Sequence, residues 1–287
     1  MKASSRLRQL LRQPGMLIAP GAYDGLTAKL VEQAGFPVVY MTGSGTSASR
    51  GFPDFGLLTM TEMVENASVL ARSVGIPVIA DADTGYGDAL NVTRTVREYE
   101  MRNVAGIHIE DQVSPKRCGH LDGKEIVSRE EFIIKIRAAA AARSDPDFLI
   151  IARTDARAVV NFDEAVARSN EALAAGADMA FVEAMETMEE LKKIPELIQG
   201  PCLLNVVPGG KTPVFDLREA EVMGYKLALV PGILFRTFIE AGDAALKSLK
   251  ETHMAPQPKP GATFADGFRR FGADEWNDLR TRFVSGS

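Results

Sequence analysis

Six short segments of this chain share one pattern, an apolar run that stops abruptly at a charged, amide or hydroxyl residue. They read Gly75-IPVIA-Asp81, Ala105-GIHI-Glu110, Phe148-LIIA-Arg153, Met179-AFV-Glu183, Cys202-LL-Asn205 and Phe36-PVVYM-Thr42. Short, fully apolar runs rich in Val and Ile suit strands buried on both faces. A polar residue at the carboxyl end of many such strands places those residues around one rim, and in a parallel α/β barrel that rim holds the active site.

The alternation of apolar run and amphipathic helix repeats about eight times, with strands expected to begin near Met16, Val38, Val78, Gly106, Phe148, Met179, Cys202 and Leu227. Helical patterns fill the gaps, for example Asp24-GLTAKLVEQAG, Thr61-EMVENASVLARSVG and Asp163-EAVARSNEALAAGA, and several stop at Gly35, Gly75 or Gly176 as helices commonly do at glycine. Eight βα units with short connections favour a closed (β/α)8 TIM-type barrel over a doubly wound sheet, and 287 residues suffice for one such barrel with extra helices. The expected organisation is a single domain over 1–287. Within it, 252–287 forms a Pro-rich linker (His253-MAPQPKPGAT) and a terminal helical extension around Glu275-WNDLRTRF. The basic, amphipathic Ser4-SRLRQLLRQ stretch reads as a first helix packed on the barrel.

A net charge of −5 gives no reason to expect nucleic acid, and no apolar run reaches membrane-spanning length. The two cysteines, Cys118 and Cys202, argue against a disulfide framework and fit a reducing cytoplasm. Cys202 starts an apolar strand and reads as a core residue.

Asp81 and Asp83 end one strand, Glu110 ends the next, and Asp54 lies in the loop after the second strand. In a barrel these four carboxylates converge. Like charges in a dry site do not all stay ionised without compensation. A divalent cation resolves the conflict, and all-oxygen ligands suit Mg2+ or Mn2+ rather than Zn2+. Single members of the set could instead cap helices or pair with Arg and Lys. Gly85 and Gly87 would let the backbone turn sharply beside the metal. Directly after Glu110, Cys118 is flanked by Lys116, Arg117 and His120. Nearby cations are expected to lower a thiol's pKa and make it a proton donor or nucleophile. Gly119 and Pro115 fit a loop that closes over a substrate.

Together these segments resemble the isocitrate lyase/phosphoenolpyruvate mutase superfamily over nearly the whole chain. The resemblance rests on Pro20-GAYDGLTAKL, Thr42-GSGTSASRGFPDFGLLTMTEM, Asp81-ADTGYGD, His108-IEDQVSPKRCGH, Ile151-ARTDAR, Phe181-VEA and Asn205-VVPGGKTP, in that order. The Lys116-RCGH loop implies a carbon–carbon lyase, similar to the 2-methylisocitrate lyases, with Gly209-GKTP and Phe52-PDFGLLT closer to the dimethylmalate lyase and petal-death-protein branch. The resemblance implies a Mg2+ contacted by Asp81 and held through waters by Asp54, Asp83 and Glu110. Thr42, Gly43, Ser44 and Arg153 would bind the 2-keto-acid part of the substrate, and Tyr40 would be the base for the 2-hydroxyl. Cys118 would protonate the leaving carbanion, tuned by Lys116, Arg117 and His120 beside Gly119. Glu183 and Asn205 would complete the polar floor, and Arg236 would hold a distal carboxylate.

Structural readings stand beside these roles. Arg153 could pair with Asp155 or Glu183, Glu183 and Asn205 could only hold Arg153, Tyr40 and His108 could be core residues, and Lys211 could only shape its loop. The implied reaction is retro-aldol cleavage of a 2-hydroxy di- or tricarboxylate into a 2-keto acid and a carboxylate. Oxaloacetate hydrolysis or decarboxylation, carboxyphosphonoenolpyruvate phosphonomutase-like chemistry, or plain binding of a small acid are the alternatives. The resemblance also implies a homotetramer with an exchanged terminal helix.

Overall fold

The computed structural model of the chain describes residues 1–213, 215–257 and 260–284. Eight parallel strands close into a barrel in sequence order: β1 Leu17–Ala22, β2 Val39–Met41, β3 Val78–Asp81, β4 Gly106–Glu110, β5 Leu149–Thr154, β6 Met179–Val182, β7 Cys202–Asn205 and β8 Leu227–Val230. β8 pairs back onto β1 from Leu17↔Leu227 to Pro20↔Val230. Each strand starts within one residue of the position its apolar run predicts.

The runs are apolar throughout because the barrel buries both strand faces. One face supplies an interior cluster of Ala19, Val38, Tyr40, Ile79, Leu149, Ile151, Met179, Phe181, Leu203, Leu227 and Leu229, which Leu7 of the helix Ala3–Arg12 joins. The alternate residues, among them Val39, Met41, Val78, Ala80, Ile107 and Ile109, pack outward against Met63, Ala67, Leu70, Val92 and Val96 of the surrounding helices. Burying each Val, Leu or Ile fully contributes about 1.5–3 kcal/mol, enough collectively to hold polar groups at the rim.

Local signals fix where the helices begin. Asp24 and Thr59 cap the helices Gly25–Gln33 and Met60–Ser73 with reciprocal capping boxes to Thr27 and Glu62. Gly35 and Gly176 follow their helices at φ +86° and +111°, the left-handed region that glycine tolerates. Gly75 differs: the helix before it ends at an extended Val74, and the Gly75 amide donates to Glu32 Oε1 at 2.6 Å.

Asp111, directly after β4, ties two strand ends together. Its buried carboxylate accepts from Thr154 Oγ1 (2.6 Å), the Asp155 amide (2.8 Å) and Arg168 Nη1 (3.1 Å). Burial, with Asp155 nearby, pushes its pKa up to about 6. Arg168 also donates to the Val127 carbonyl at 2.9 Å. Arg168→Met strands this carboxylate and should cost about 3–5 kcal/mol, read as a lower midpoint in urea unfolding.

Packing divides the chain into two compact units, Met1–Arg236 and Thr237–Ser287, with the division inside the helix Ile233–Thr252. Pro258 and Lys259 of the expected linker lie outside the described residues. In the second unit, the helices Phe264–Arg269 and Ala273–Val284 bury none of their described residues, and Phe264, Trp276 and Phe283 are 87%, 71% and 79% exposed. No helix among the described residues is long and apolar enough to cross a membrane.

Candidate active site

The inward face of the strands changes from apolar to charged toward their carboxyl ends. Asp81 ends β3, Glu110 ends β4, Arg153 is next to last in β5, Glu183 follows β6 and Asn205 ends β7. Thr42 follows β2 and precedes the short helix Gly43–Ser49, with its hydroxyl 2.9 Å from that of Ser44. A Cβ on Gly43 would collide with Asp81 Oδ2, so only glycine lets this backbone reach the acidic rim. The turn after β3 holds Asp83 and Tyr86 at φ 44° and 63°, beside Gly85 at +82° and Gly87 at +148°. Left-handed non-glycine residues are strained, and such strain gathers at functional sites.

Asp81 accepts the Asp83 amide at 2.9 Å and lies 3.5 Å from both Tyr40 Oη and His108 Nε2. The Lys116 ammonium bridges Asp54 and Asp83, at 3.2 Å from the latter. Burial pushes Asp83 up to about 6 even with Lys116 beside it. Glu110 is fully buried, and burial drives its carboxyl well above the usual range. Its Oε2 lies 3.2 Å from Arg153 Nε, yet among the described residues neither oxygen has a hydrogen-bond partner.

The four acids therefore share the rim, with Asp54 and Asp83 on Lys116, Glu110 on Arg153, and Asp81 beside Tyr40 and His108. Among the described residues, no three His, Cys, Asp or Glu side chains are drawn together as a metal cage. The donor set nevertheless fits a divalent ion. The four carboxylates gather at one rim, neither Glu110 oxygen takes part in a hydrogen bond among the described residues, and all the donors are oxygen, the preference of Mg2+ and Mn2+.

Arg153 lies over the Phe181 ring at 5.1 Å and contacts Glu110, Asp155 (3.1 Å) and Glu183 (3.6 Å). The structural pairings of Arg153 thus coexist with its rim position. Glu183 also accepts from Asn205 Nδ2 at 3.0 Å and faces His120 Nε2 at 2.9 Å. Burial alone would raise the Glu183 carboxyl, but Arg153 and His120 outweigh it and hold it well below the usual carboxylate range. Gly119 passes so close to Arg153 and Glu183 that a Cβ there would strike both.

The thiol loop departs from expectation in one respect. Basic neighbours were expected to lower the Cys118 pKa; instead burial, reinforced by Asp54, pushes it up against the pull of the His120 amide and Lys116. Lys116 is already neutralised by Asp54 and Asp83, and Arg117 is exposed with its guanidinium 6.0 Å from the Phe55 ring. Cys118 is thus a protonated thiol, the acid form of the pair. Tyr40 likewise holds its proton: burial and Asp81 raise it well above the ordinary phenol, and its hydroxyl lies 2.8 Å from His108 Nε2. Burial lowers His108 to about 4, so its ring is neutral. Arg236 is exposed and donates to the Pro208 carbonyl.

Sequence reasoning missed Lys124. Its buried ammonium joins the Gly119 carbonyl to Asp155 (2.7 Å) and pins the thiol loop to the end of β5. The only available signal was a lysine six residues after Cys118 in the same loop.

Fixed charges of both signs, buried at one rim and crossed by a thiol loop, define a candidate active site. Comparison with known proteins narrows this. A family model described as phosphoenolpyruvate phosphomutase matches residues 7–250, and the chain belongs to that family, within the isocitrate lyase/phosphoenolpyruvate mutase superfamily. A 2,3-dimethylmalate lyase of Eubacterium barkeri is 53% identical over 232 residues, covering 80% of each chain. A 2-methylisocitrate lyase of Aeropyrum pernix is 42% identical over 245 residues, 85% of this chain and 79% of that one. An oxaloacetate acetylhydrolase solved with 3,3-difluorooxalacetate superposes with a TM-score of 0.95 at 36% identity, covering 99% and 97% of the two chains. A phosphonopyruvate hydrolase solved with oxalate and Mg2+ gives 0.87 at 30% identity, covering 99% and 100%.

Proposed function

We propose that this carbon–carbon lyase cleaves a 2-hydroxy dicarboxylate of the 2,3-dimethylmalate type to pyruvate and propanoate. The observation that carries this reading is the Cys118 loop seated over Arg153 and Glu183, where burial pushes the thiol pKa up, in a chain 53% identical to a dimethylmalate lyase. The cofactor is Mg2+, with Mn2+ a substitute, held by Asp81, Asp83, Glu110 and Asp54. When bound it supplies positive charge to the oxygen on which negative charge develops.

The chain's own groups account for the rest. Arg153 and the donors at Thr42, Gly43 and Ser44 bind the keto-acid end as a preorganised field, often the largest catalytic term. In cleavage the 2-hydroxyl gives its proton to an ionised carboxylate of the acidic rim, the C2–C3 bond breaks with its electron pair going to C3, and the C2 oxygen becomes the keto group of pyruvate. The Cys118 thiol then gives its proton to C3, leaving thiolate and carboxylate product. Closure of the loop excludes water from the carbanion. The test is a panel of hydroxy acids assayed for keto-acid release. Dimethylmalate should be cleaved, with activity abolished by chelation and restored by Mg2+ or Mn2+. No cleavage of dimethylmalate, methylisocitrate or related acids would reject the reading.

The similarity to oxaloacetate acetylhydrolase favours a second reading, hydrolysis of oxaloacetate. Release of oxalate and acetate from oxaloacetate, with no turnover of dimethylmalate, would establish it. We propose further that the chain works as a homotetramer, in which the exposed Phe264, Trp276 and Phe283 meet a second copy. Trp276→Glu should then lower the mass measured by light scattering; an unchanged mass removes this residue from the interface.

A further inference from the structure

The segment Val206–Pro213, between β7 and the helix Leu217–Met223, contains no residue given a chemical role above, yet it meets the thiol loop at one defined point. The Lys211 backbone amide donates to His120 Nδ1 at 3.0 Å. A backbone N–H is a donor only, so Nδ1 is the acceptor and carries no hydrogen. The ring proton is therefore on Nε2, the nitrogen that faces Glu183 Oε1 at 2.9 Å.

The approach is too close for any side chain at the preceding residue. A Cβ on Gly210 would lie 2.5 Å from His120 Nδ1 and 3.0 Å from Cγ and Cε1. Gly210 does not have a positive φ, so its glycine is required by the ring above it and not by its own backbone. The segment is itself anchored: the Val206 amide bonds the Leu229 carbonyl at 2.9 Å, the Gly210 amide bonds the Val207 carbonyl at 2.9 Å, and Arg236 donates to the Pro208 carbonyl.

We infer that Gly210 and the Lys211 amide form a seat that sets both the position and the tautomer of His120, and through it the closed position of the Cys118 loop. They are positioning residues. With Nδ1 accepting the Lys211 amide and the ring hydrogen on Nε2, 2.9 Å from Glu183 Oε1, the His120 ring has no free basic nitrogen. Cys118 then enters turnover with its proton, as an acid acting on a carbanion requires. Lys211 contributes through its backbone. Its ammonium also reaches Asp122 at 2.7 Å, but Asp122 is 93% exposed, and surface pairs of this kind contribute little.

The experiment uses the full chain labelled with 15N-histidine. Its three histidines are assigned with His253→Gln and His120→Asn. Wild type should show His120 with a bare Nδ1 and a protonated Nε2, signals that fall in separate nitrogen ranges. Gly210→Ala should keep the thermal midpoint within a few degrees, lose this tautomer signature, and lower kcat by on the order of 10²-fold with a smaller change in KM. Lys211→Met keeps the amide, so its spectrum should match wild type and its kcat should fall by no more than about fivefold. A protonated Nδ1 in wild type overturns the inference, as does a Gly210→Ala variant with wild-type spectrum and kcat. The kinetic arm rests on the lyase reading. The spectra do not, so a chain that cleaves no hydroxy acid fails that reading alone. Should Gly210→Ala not fold, the wild-type spectrum and Lys211→Met still decide.

Discussion

Cys118→Ser should lower kcat for dimethylmalate cleavage by about 10²–10⁴-fold, the contribution of a positioned acid, while product binding persists. The expectation follows from the direction of the thiol's shift. Burial favours the neutral form, so the group holds a proton at neutral pH and yields it only when a stronger base, the carbanion at C3, forms beside it. Serine preserves size but is a far weaker acid, so the variant should bind and fail to turn over. The pH profile gives an independent check. The alkaline limb of kcat in wild type should lie above the ordinary thiol value of about 8.5, because the raised thiol loses its proton only there, and in the variant that limb should vanish. A hydrolase that uses a polarised carbonyl without a thiol acid would show little change in either measurement.

Why this direction was not legible in the sequence is instructive. Lys116, Arg117 and His120 flank Cys118 in a linear count of charge, but charge acts through space. Lys116 is turned to Asp54 and Asp83, Arg117 faces the Phe55 ring, and the His120 ring is held by Lys211 and Glu183. None of these pairings is local in sequence. The barrel was legible because its signal is local: a run such as Val78–Asp81 buries both faces and needs no distant partner to read as a strand. The rim was legible for the same reason, since a strand's end is known once the strand is. The resemblance gives Arg236 a distal carboxylate to hold; its contact with the Pro208 carbonyl depends on the path of another loop and could not be read from the sequence. Lys124 was invisible because its partner Asp155 is 31 residues away.

Arg153→Met should be among the most damaging single changes in the barrel. The guanidinium is shared by Glu110, Asp155 and Glu183, all fully buried. Removing it leaves Glu110 without a cation and takes one partner from Asp155, which keeps Lys124, and from Glu183, which keeps Asn205 and His120; the cost is about 3–5 kcal/mol, a fall in Tm on the order of 10 °C for a chain of this size. Its pH dependence identifies the cause. Arg153 is the largest of the influences that lower Glu183, whose folded pKa lies below that of the unfolded carboxyl. A depressed pKa means that the unfolded state binds the extra proton. The stabilisation is thus complete above the unfolded value of about 4.3 and is lost as pH falls toward the folded one. Wild type should lose stability steeply below about pH 4.3, and Arg153→Met should lose less there, because the shift that generates the slope has been reduced. The difference in Tm between the two proteins should narrow from pH 7 to pH 3.5 in a calorimetric series. An equal difference at both values would mean that Arg153 stabilises the barrel through packing on Phe181 and not through its carboxylates.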